Sequence, residues 1–157
     1  MKVMLIAGAC LLLAIAVVVA IGAMLPTAHQ ARRTAIIGKP RNEVFAMIPA
    51  RWEALPPHDG HPMWREVDKR GRAIRYEQVA ADPPAKLVTR IANTNLPYGG
   101  TWTYELKQAG DDQTEITITE DGEVYNPLFR FVSKFILGHT ATIDRYLKAM
   151  QEDGPRR

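Results

Sequence analysis

The chain has 157 residues, of which 46% are hydrophobic, and this is enough for one domain of ordinary size with an apolar core. Its 20 lysines and arginines nearly balance 17 aspartates and glutamates, for a net charge of +3. The basic residues are scattered rather than interleaved with aromatics, so we do not expect nucleic-acid binding. The single cysteine, Cys10, lies in the apolar N-terminus, which leaves the folded domain without a disulfide or a thiolate metal site.

The N-terminal segment is long and apolar. No residue from Val3 to Leu25 is charged, and as a helix this stretch would span roughly 34 Å, enough to cross a hydrocarbon core of about 30 Å. We therefore predict an uncleaved transmembrane anchor over residues 1–25, with membrane contact through residues 3–25, followed by a tether over residues 26–31. The alternative is a cleavable signal peptide, for which Ala20-Ile21-Gly22 is a fair cleavage site.

The side of the membrane on which the domain lies stays open at this stage. Lys2 precedes the span, whereas Arg32, Arg33, Lys39 and Arg41 come after it, and this count favours a cytoplasmic domain. A Met-Lys start before a long apolar run nevertheless resembles a bacterial signal anchor that exports the domain attached to it.

The remaining chain reads as an α+β domain over residues 32–150, with a flexible tail over residues 151–157. A first strand at Arg32–Gly38 precedes a short helix over residues 40–48 and a second short helix at Arg51–Leu55. The segment Pro56–Pro62, rich in proline, is predicted to be a loop. Period-two patterns then predict five more strands, at Met63–Asp68, Arg72–Val79, Lys86–Asn93, Thr101–Lys107 and Thr114–Glu120.

One long amphipathic helix is predicted to end the domain, from Asn126 to about Met150, with Asn126 as N-cap and Pro127 at its first position. At about 100° per residue its apolar side carries Leu128, Val132, Phe135, His139, Thr142, Ile143, Tyr146 and Met150. Short connections between strands imply an antiparallel meander, and only this helix is long enough to cover it. A curved sheet of about six strands wrapped on one helix tends to leave an elongated apolar cavity, which is the default binding site.

Several stretches resemble a known superfamily. They are Ile36–Phe45, Trp52, Gly100–Leu106, Thr119–Pro127 and Gly138–Thr140. Together with the order of elements over about residues 31–150, they resemble the helix-grip (SRPBCC) superfamily of START-type lipid-transfer, birch-pollen-allergen-like and polyketide cyclase/dehydrase-like proteins. The last two stretches are similar to a membrane-anchored bacterial subgroup without a settled function. The resemblance implies the helix-grip fold and leaves the activity open, because members bind hydrophobic ligands, transfer lipids, cyclise polyketides or serve as subunits.

Two titratable residues are candidates for chemistry. His139 lies on the apolar stripe and would serve as a general base or as a hydrogen-bonding anchor for a ligand. The structural alternative, which we favour, is a core histidine satisfied by a strand carbonyl or by Glu120. The alternation of the preceding strand places Glu120 on the side of Ile116 and Ile118, where burial would raise its pKa. The favoured alternative places Glu120 at a fraying strand end.

The remaining candidates are packing residues of a ligand cavity. Its predicted walls are Trp102, Tyr104, Ile116, Ile118, Val132, Phe135, His139 and Ile143. Trp52, Trp64, Met47 and Met63 flank the Pro56–Pro62 loop and form either an apolar mouth or ordinary edge packing. His58 and His61 are a weak metal signal on their own, so we expect neither a metal nor a cofactor. The chain has no phosphate loop or nucleophile elbow, and Ser133 is its only serine, which excludes serine hydrolase chemistry.

The sequence therefore supports three hypotheses. The first is a membrane-tethered domain that binds a hydrophobic small molecule or lipid between the last helix and the sheet. The second is a polyketide cyclase- or hydratase-like enzyme that uses His139 and Glu120 as acid–base groups. The third is a non-catalytic partner of another membrane protein, which predicts a filled core and an exposed apolar patch.

Overall fold

The computed structural model describes residues 2–67 and 71–152. Its four α-helices are α1 (Lys2–Met24), α2 (Arg41–Ala50), α3 (Pro127–Val132) and α4 (Ala141–Glu152), with one π-helical segment at Ser133–Leu137. The strands are β1 (Ala28–Ile37), β2 (Glu53–His58), β3 (His61–Val67), β4 (Ala73–Asp82), β5 (Lys86–Ile91), β6 (Tyr98–Gly110) and β7 (Gln113–Val124). The end of the predicted strand at Asp68, the turn after it and residues 153–157 of the predicted tail lie outside the described residues.

The strands form one antiparallel sheet in the order β1-β7-β6-β5-β4-β3-β2. Consecutive strands from β2 to β7 are neighbours, as expected for the predicted meander, and β1 joins the far edge beside β7. The sheet has seven strands where the sequence predicted about six. Only Leu25, Pro26 and Thr27 separate α1 from β1, so the strand begins inside the segment predicted as a tether.

The additional strand is β2, and it replaces the second short helix predicted at Arg51–Leu55. β2 and β3 form a hairpin whose turn carries Asp59 and Gly60 at φ 49° and 80°, the positive values that a tight hairpin turn requires. Pro56 and Pro57 are tolerated because β2 is an edge strand and its pairing with β3 is irregular between Leu55 and His58. The predicted loop is therefore mostly strand.

The long C-terminal helix predicted from the apolar stripe is divided in two. Its start is as expected, because the Asn126 side chain accepts hydrogen bonds from the backbone N–H groups of Leu128 and Phe129. The backbone then changes to i→i+5 bonding over Ser133–Leu137 and stops at Gly138, whose φ is 73°. These two departures from 3.6-residue periodicity rotate α4 relative to α3, so the stripe is not one continuous face.

The core lies between one face of the sheet, called here the inner face, and helices α2 and α4. α4 contributes Ile143, Leu147 and Met150, and α2 contributes Val44 and Ile48. They pack on the buried strand residues Ala31, Ile37, Leu87, Tyr104, Leu106, Ile116 and Ile118. Each of these residues is at most 5% exposed, and together they hold α4 against the sheet.

The first part of the C-terminal segment packs elsewhere. α3 lies against the C-terminal turns of α1, where Gly22 is buried against the backbone of Pro127. The Arg130 guanidinium donates a 2.8 Å hydrogen bond to the carbonyl oxygen of Leu25, which satisfies an acceptor at the end of α1. Thus α4 covers the sheet, whereas α3 docks on the apolar N-terminal helix.

Candidate functional site

The register of the sheet places a group of polar and aromatic side chains on the inner face, next to the buried core. Trp102 on β6 lies opposite both Thr89 and Glu120, and Glu120 lies opposite Ala31 on β1. Directly paired residues project to the same side of a sheet. Glu120 therefore faces the helices, as its alternation with Ile116 and Ile118 indicates. The favoured placement at a fraying strand end was wrong, because β7 continues to Val124 and Glu120 is paired on both sides.

Glu120 is a half-buried carboxyl group on this face. Burial raises its pKa, and a hydrogen bond from the Trp102 indole N–H opposes that shift only in part. Its Oε2 atom is buried and has no hydrogen-bond partner within the described part of the chain. A buried carboxyl oxygen without a partner is costly, and this site is accordingly suited to a protonated carboxyl or to an incoming polar group.

Tyrosine and tryptophan rings surround this carboxyl. Trp102 meets Tyr146 of α4 edge-on, with ring centroids 5.8 Å apart, and Tyr104 lies 5.8 Å from Tyr146. Burial raises the pKa of both tyrosines, so they are neutral hydroxyl groups. The buried Tyr146 hydroxyl has no well-formed hydrogen bond to another described residue, although it lies near that of Tyr104. Two buried polar atoms thus lie beside the same indole ring.

A second aromatic cluster continues the inner face toward the other edge of the sheet. Trp52 stacks on Tyr76 with a centroid separation of 4.7 Å and lies 5.9 Å from Trp64. The Tyr76 hydroxyl donates a 3.0 Å hydrogen bond to Glu66, and burial raises its pKa. Trp52 and Trp64 were predicted as a mouth or as edge packing, and they are half-buried, so they line the open part of this face.

His139 lies at the break between the π segment and α4 rather than within a helix. Its ring stacks on His29 of β1 at 4.1 Å between centroids, and its Nδ1 lies 3.3 Å from the Ser133 hydroxyl. The expected partners were a strand carbonyl or Glu120. Burial, with a smaller contribution from the charge of His139, lowers the pKa of His29.

His29 was not among the residues singled out from the sequence, because its segment was read as a tether. The available signal was Gly122, the residue opposite it in β7. A Cβ atom at that position would overlap the His29 ring, so the glycine leaves space for the stacked pair. One residue away in the pairing, Gln30 donates a 2.7 Å hydrogen bond to Asp121 on the other face and helps to fix this end of β1.

The predicted wall residues are not brought together as one cavity. Tyr104, Ile116, Ile118 and Ile143 are fully buried core residues, whereas Trp102 is half-buried. Val132 is half-buried on α3, and Phe135 is 58% exposed on the π segment. Because the helix is divided, Val132 lies on α3, which docks along α1, and Phe135 lies on the π segment that follows it. The first four belong to the core between α4 and the sheet.

The other face of the sheet carries an open cleft of about 710 Å³. It is lined by Leu55, Pro56, Pro57, His58, Met63, Arg75, Glu77, Arg90, Ile91, Ala92, Asn93 and Thr94. Arg90 forms a 2.9 Å ion pair with Glu77 there and thereby lowers the pKa of that carboxyl. Neither here nor elsewhere in residues 2–67 and 71–152 do three or more His, Cys, Asp or Glu side chains form a group that would hold a metal.

Comparison with solved structures identifies several proteins with a similar architecture. A START superfamily protein from Mycobacterium smegmatis is similar with a TM-score of 0.54 and 13% identity, over 79% of this chain and 95% of that one. Norcoclaurine synthase from Thalictrum flavum gives 0.56 and 10%, over 80% and 85%. The di-domain ARO/CYC BexL from the BE-7585A biosynthetic pathway gives 0.56 and 12%, covering 88% of this chain, which spans only 54% of that protein.

These similarities define an α+β helix-grip fold with an apolar N-terminal helix. More particularly, the fold is START-like, as the resemblance noted in the sequence implied. No family model and no curated protein matches the sequence. At such low identities the likeness concerns the fold, and function has to be argued from the site.

Proposed function

We propose that this chain is a membrane-tethered domain that binds a hydrophobic small molecule or lipid against the inner face of the sheet. The ligand's apolar body would lie on the half-buried rings of Trp52, Trp64 and Trp102, and its polar end would reach Glu120. The observation that carries the proposal is the buried Oε2 atom of Glu120, which lacks a hydrogen-bond partner within the described residues. Apolar burial at about 25 cal/mol per Å² would supply affinity, and one polar contact would set orientation.

The tether is the second part of the proposal. Within the described residues one helix, Lys2–Met24, is long and apolar enough to cross a membrane, and a signal sequence would satisfy the same criteria. Nearly all of its surface is exposed, as expected for a helix that faces lipid rather than a protein core. A domain held at the bilayer surface would meet apolar ligands where they are most concentrated.

Native mass spectrometry of the detergent-purified full chain tests the binding proposal. We expect a hydrophobic molecule to co-purify with the wild type. Glu120→Leu removes the polar contact while keeping a side chain of similar size, and we expect about a tenfold loss of affinity, since a hydrogen bond contributes about 1–1.5 kcal/mol.

The matched control is Glu115→Leu, on the same strand but directed to the other face of the sheet. This variant should bind like the wild type. Absence of any bound molecule, together with no binding of added fatty acids or isoprenoids, would refute the proposal. Equal affinities of the two variants would refute the role of Glu120.

A cyclase- or hydratase-like enzyme is the second candidate, and the raised pKa of Glu120 favours it, because a protonated carboxyl is a general acid. The proposed partner His139 is engaged with His29 and Ser133. Chromatography and mass analysis of ligand recovered after incubation distinguish the two functions. Binding alone returns the ligand unchanged, whereas catalysis returns a product that Glu120→Gln fails to form while it still binds ligand.

A further inference from the structure

The C-terminal segment carries apolar side chains that the domain itself does not cover. Leu128 and Phe129 on α3 are 43% and 46% exposed, and Phe135 and Ile136 on the π segment are 58% and 68% exposed. Bulky apolar side chains so close in sequence are seldom left in water unless they form an interaction surface. We call these four residues the apolar patch.

α3, which carries two residues of the apolar patch, packs against the end of α1. Gly22 packs against the backbone of Pro127, and Val18, one turn earlier on the same side of α1, is half-buried. The hydrogen bond from Arg130 to Leu25 closes the contact at the end of the helix. α3 therefore runs beside the last two turns of α1.

The contact between α3 and α1 sets the position of α3 along the axis of α1. Val18 precedes Met24 by six residues, and at 1.5 Å per residue it lies about 9 Å below the end of α1. Amphipathic helices that lie in a membrane surface bury their apolar face about 5–10 Å into the boundary between headgroups and acyl chains. If α1 spans the bilayer, α3 is held at that depth.

The charged groups of the segment fit the same location. Lys134 lies between Ser133 and Phe135, and its ammonium group is 5.9 Å from the centroid of the Phe135 ring. A lysine at such a depth extends its charged end toward the headgroups while its aliphatic stem stays in the apolar layer. Acidic side chains, which an anionic membrane surface would repel, are absent from Pro127 to Leu137.

We propose that α3 and the π segment form a second membrane contact, in which the apolar patch is seated in the interfacial layer of the phospholipid bilayer beside α1. This inference rests on the membrane-spanning role of α1 in the proposed function. This second membrane contact would explain why the C-terminal helix is divided, because the part before Gly138 would contact lipid and the part after it covers the sheet. The break carries His139, which contacts His29 on the inner face, so that the lipid contact and that face are directly connected.

Fluorescence quenching by brominated lipid in nanodiscs tests whether the apolar patch lies in the interfacial layer. In a Cys10→Ser background of the full chain, a single cysteine replaces Phe135 or Ile136 and carries a bimane label. Because both positions are exposed, the substitutions should leave the fold intact. The nanodiscs contain phosphatidylcholine and phosphatidylglycerol, with or without brominated phosphatidylcholine.

Two reference positions distinguish the membrane contact of the apolar patch from the membrane span of α1. Native Cys10 is exposed on α1 and reports whether the span is in lipid. Val79, 47% exposed near the end of β4 that is remote from α1, reports a position in water. We expect brominated lipid to quench labels at 135 and 136 several-fold more than the label at 79, and iodide in water to do the opposite.

If lipid quenches the label at Cys10 but the labels at 135 and 136 behave like the label at 79, the proposed membrane contact of the apolar patch is refuted. The membrane span of α1 would stand. In that case another membrane protein is the better candidate for covering the apolar patch. A Cys10 label that lipid fails to quench would overturn the membrane span of α1 and the membrane contact of the apolar patch together.

Discussion

A pair of alanine substitutions tests the division of the C-terminal helix. Ile143 and Phe135 belong to one apolar stripe in the sequence, but Ile143 is fully buried and Phe135 is 58% exposed. Truncating a buried isoleucine to alanine costs about 2–5 kcal/mol, because apolar contacts are lost and a cavity remains. At Phe135 less than half of the side chain is covered, and no enclosed cavity forms, so at about 25 cal/mol per Å² we expect a loss of about 1 kcal/mol.

The measurement is urea unfolding of the detergent-solubilised full chain, monitored by tryptophan fluorescence. All three tryptophans lie on the sheet or next to it, and the signal therefore reports the domain rather than α1. Ile143→Ala should lower the free energy of unfolding at least twice as much as Phe135→Ala. Equal losses of about 3 kcal/mol or more, which is the cost of truncating a core phenylalanine, would show that both side chains are buried and that one continuous helix covers the sheet.

Three further predictions concern individual contacts. Gly22→Ala should weaken the docking of α3 on α1 and lower the unfolding free energy by about 1–3 kcal/mol, because the added methyl group would overlap the Pro127 carbonyl. The control Gly8→Ala places its methyl group in open space within the same helix and should not lower the unfolding free energy. Burial raises the pKa of Glu120, so the folded chain keeps a proton that the unfolded chain loses above about pH 4.5, and stability from this group declines as the pH rises. Glu120→Gln should therefore be more stable than the wild type at pH 8 and similar at pH 4, as measured by thermal unfolding; a wild type that is as stable as the variant at both would contradict this. The lowered pKa of His29 gives the opposite dependence of stability on pH. Below about pH 6.5 the unfolded chain binds a proton that the folded chain does not, so acid destabilises the wild type. His29→Gln should reduce that loss of stability in the same assay.

Much of the sheet could be predicted because its signals are local. Turn residues separate strands whose alternation matches the two faces, and the N-cap at Asn126 next to Pro127 marks the start of α3. Glu120 could be placed on the inner face for the same reason, since a period of two fixes the side to which each side chain points. Its missing hydrogen-bond partner could not be predicted, because that depends on the residues that surround it in space.

The errors arose where one local pattern fits two structures. Arg51–Leu55 is short enough to be read as a helical turn, and its pairing with β3 shows only in the folded sheet. The first strand extends back to Ala28 because β7 is long enough to pair with it, a tertiary effect that overrides the tether-like composition before Arg32. His29 was missed through this error, since a residue assigned to a tether has no partner to be sought.

The divided helix shows most directly why periodicity alone misled. A stripe of apolar residues records only that each member avoids water, and it does not record which surface covers it. Ile143 and Phe135 satisfy the same stripe, yet Ile143 is buried on the sheet, whereas Phe135 is exposed on the π segment that follows α3. Gly138 was the available clue, because a glycine in the middle of a predicted helix costs about 1 kcal/mol relative to alanine unless the backbone there leaves the helix. Its φ of 73° shows that the backbone leaves the helical conformation there. In the proposed lipid contact, the two halves of the C-terminal segment face different apolar phases, and a break between them is required. Because the break lies beside His139, it brings the stacked His29–His139 pair to the junction.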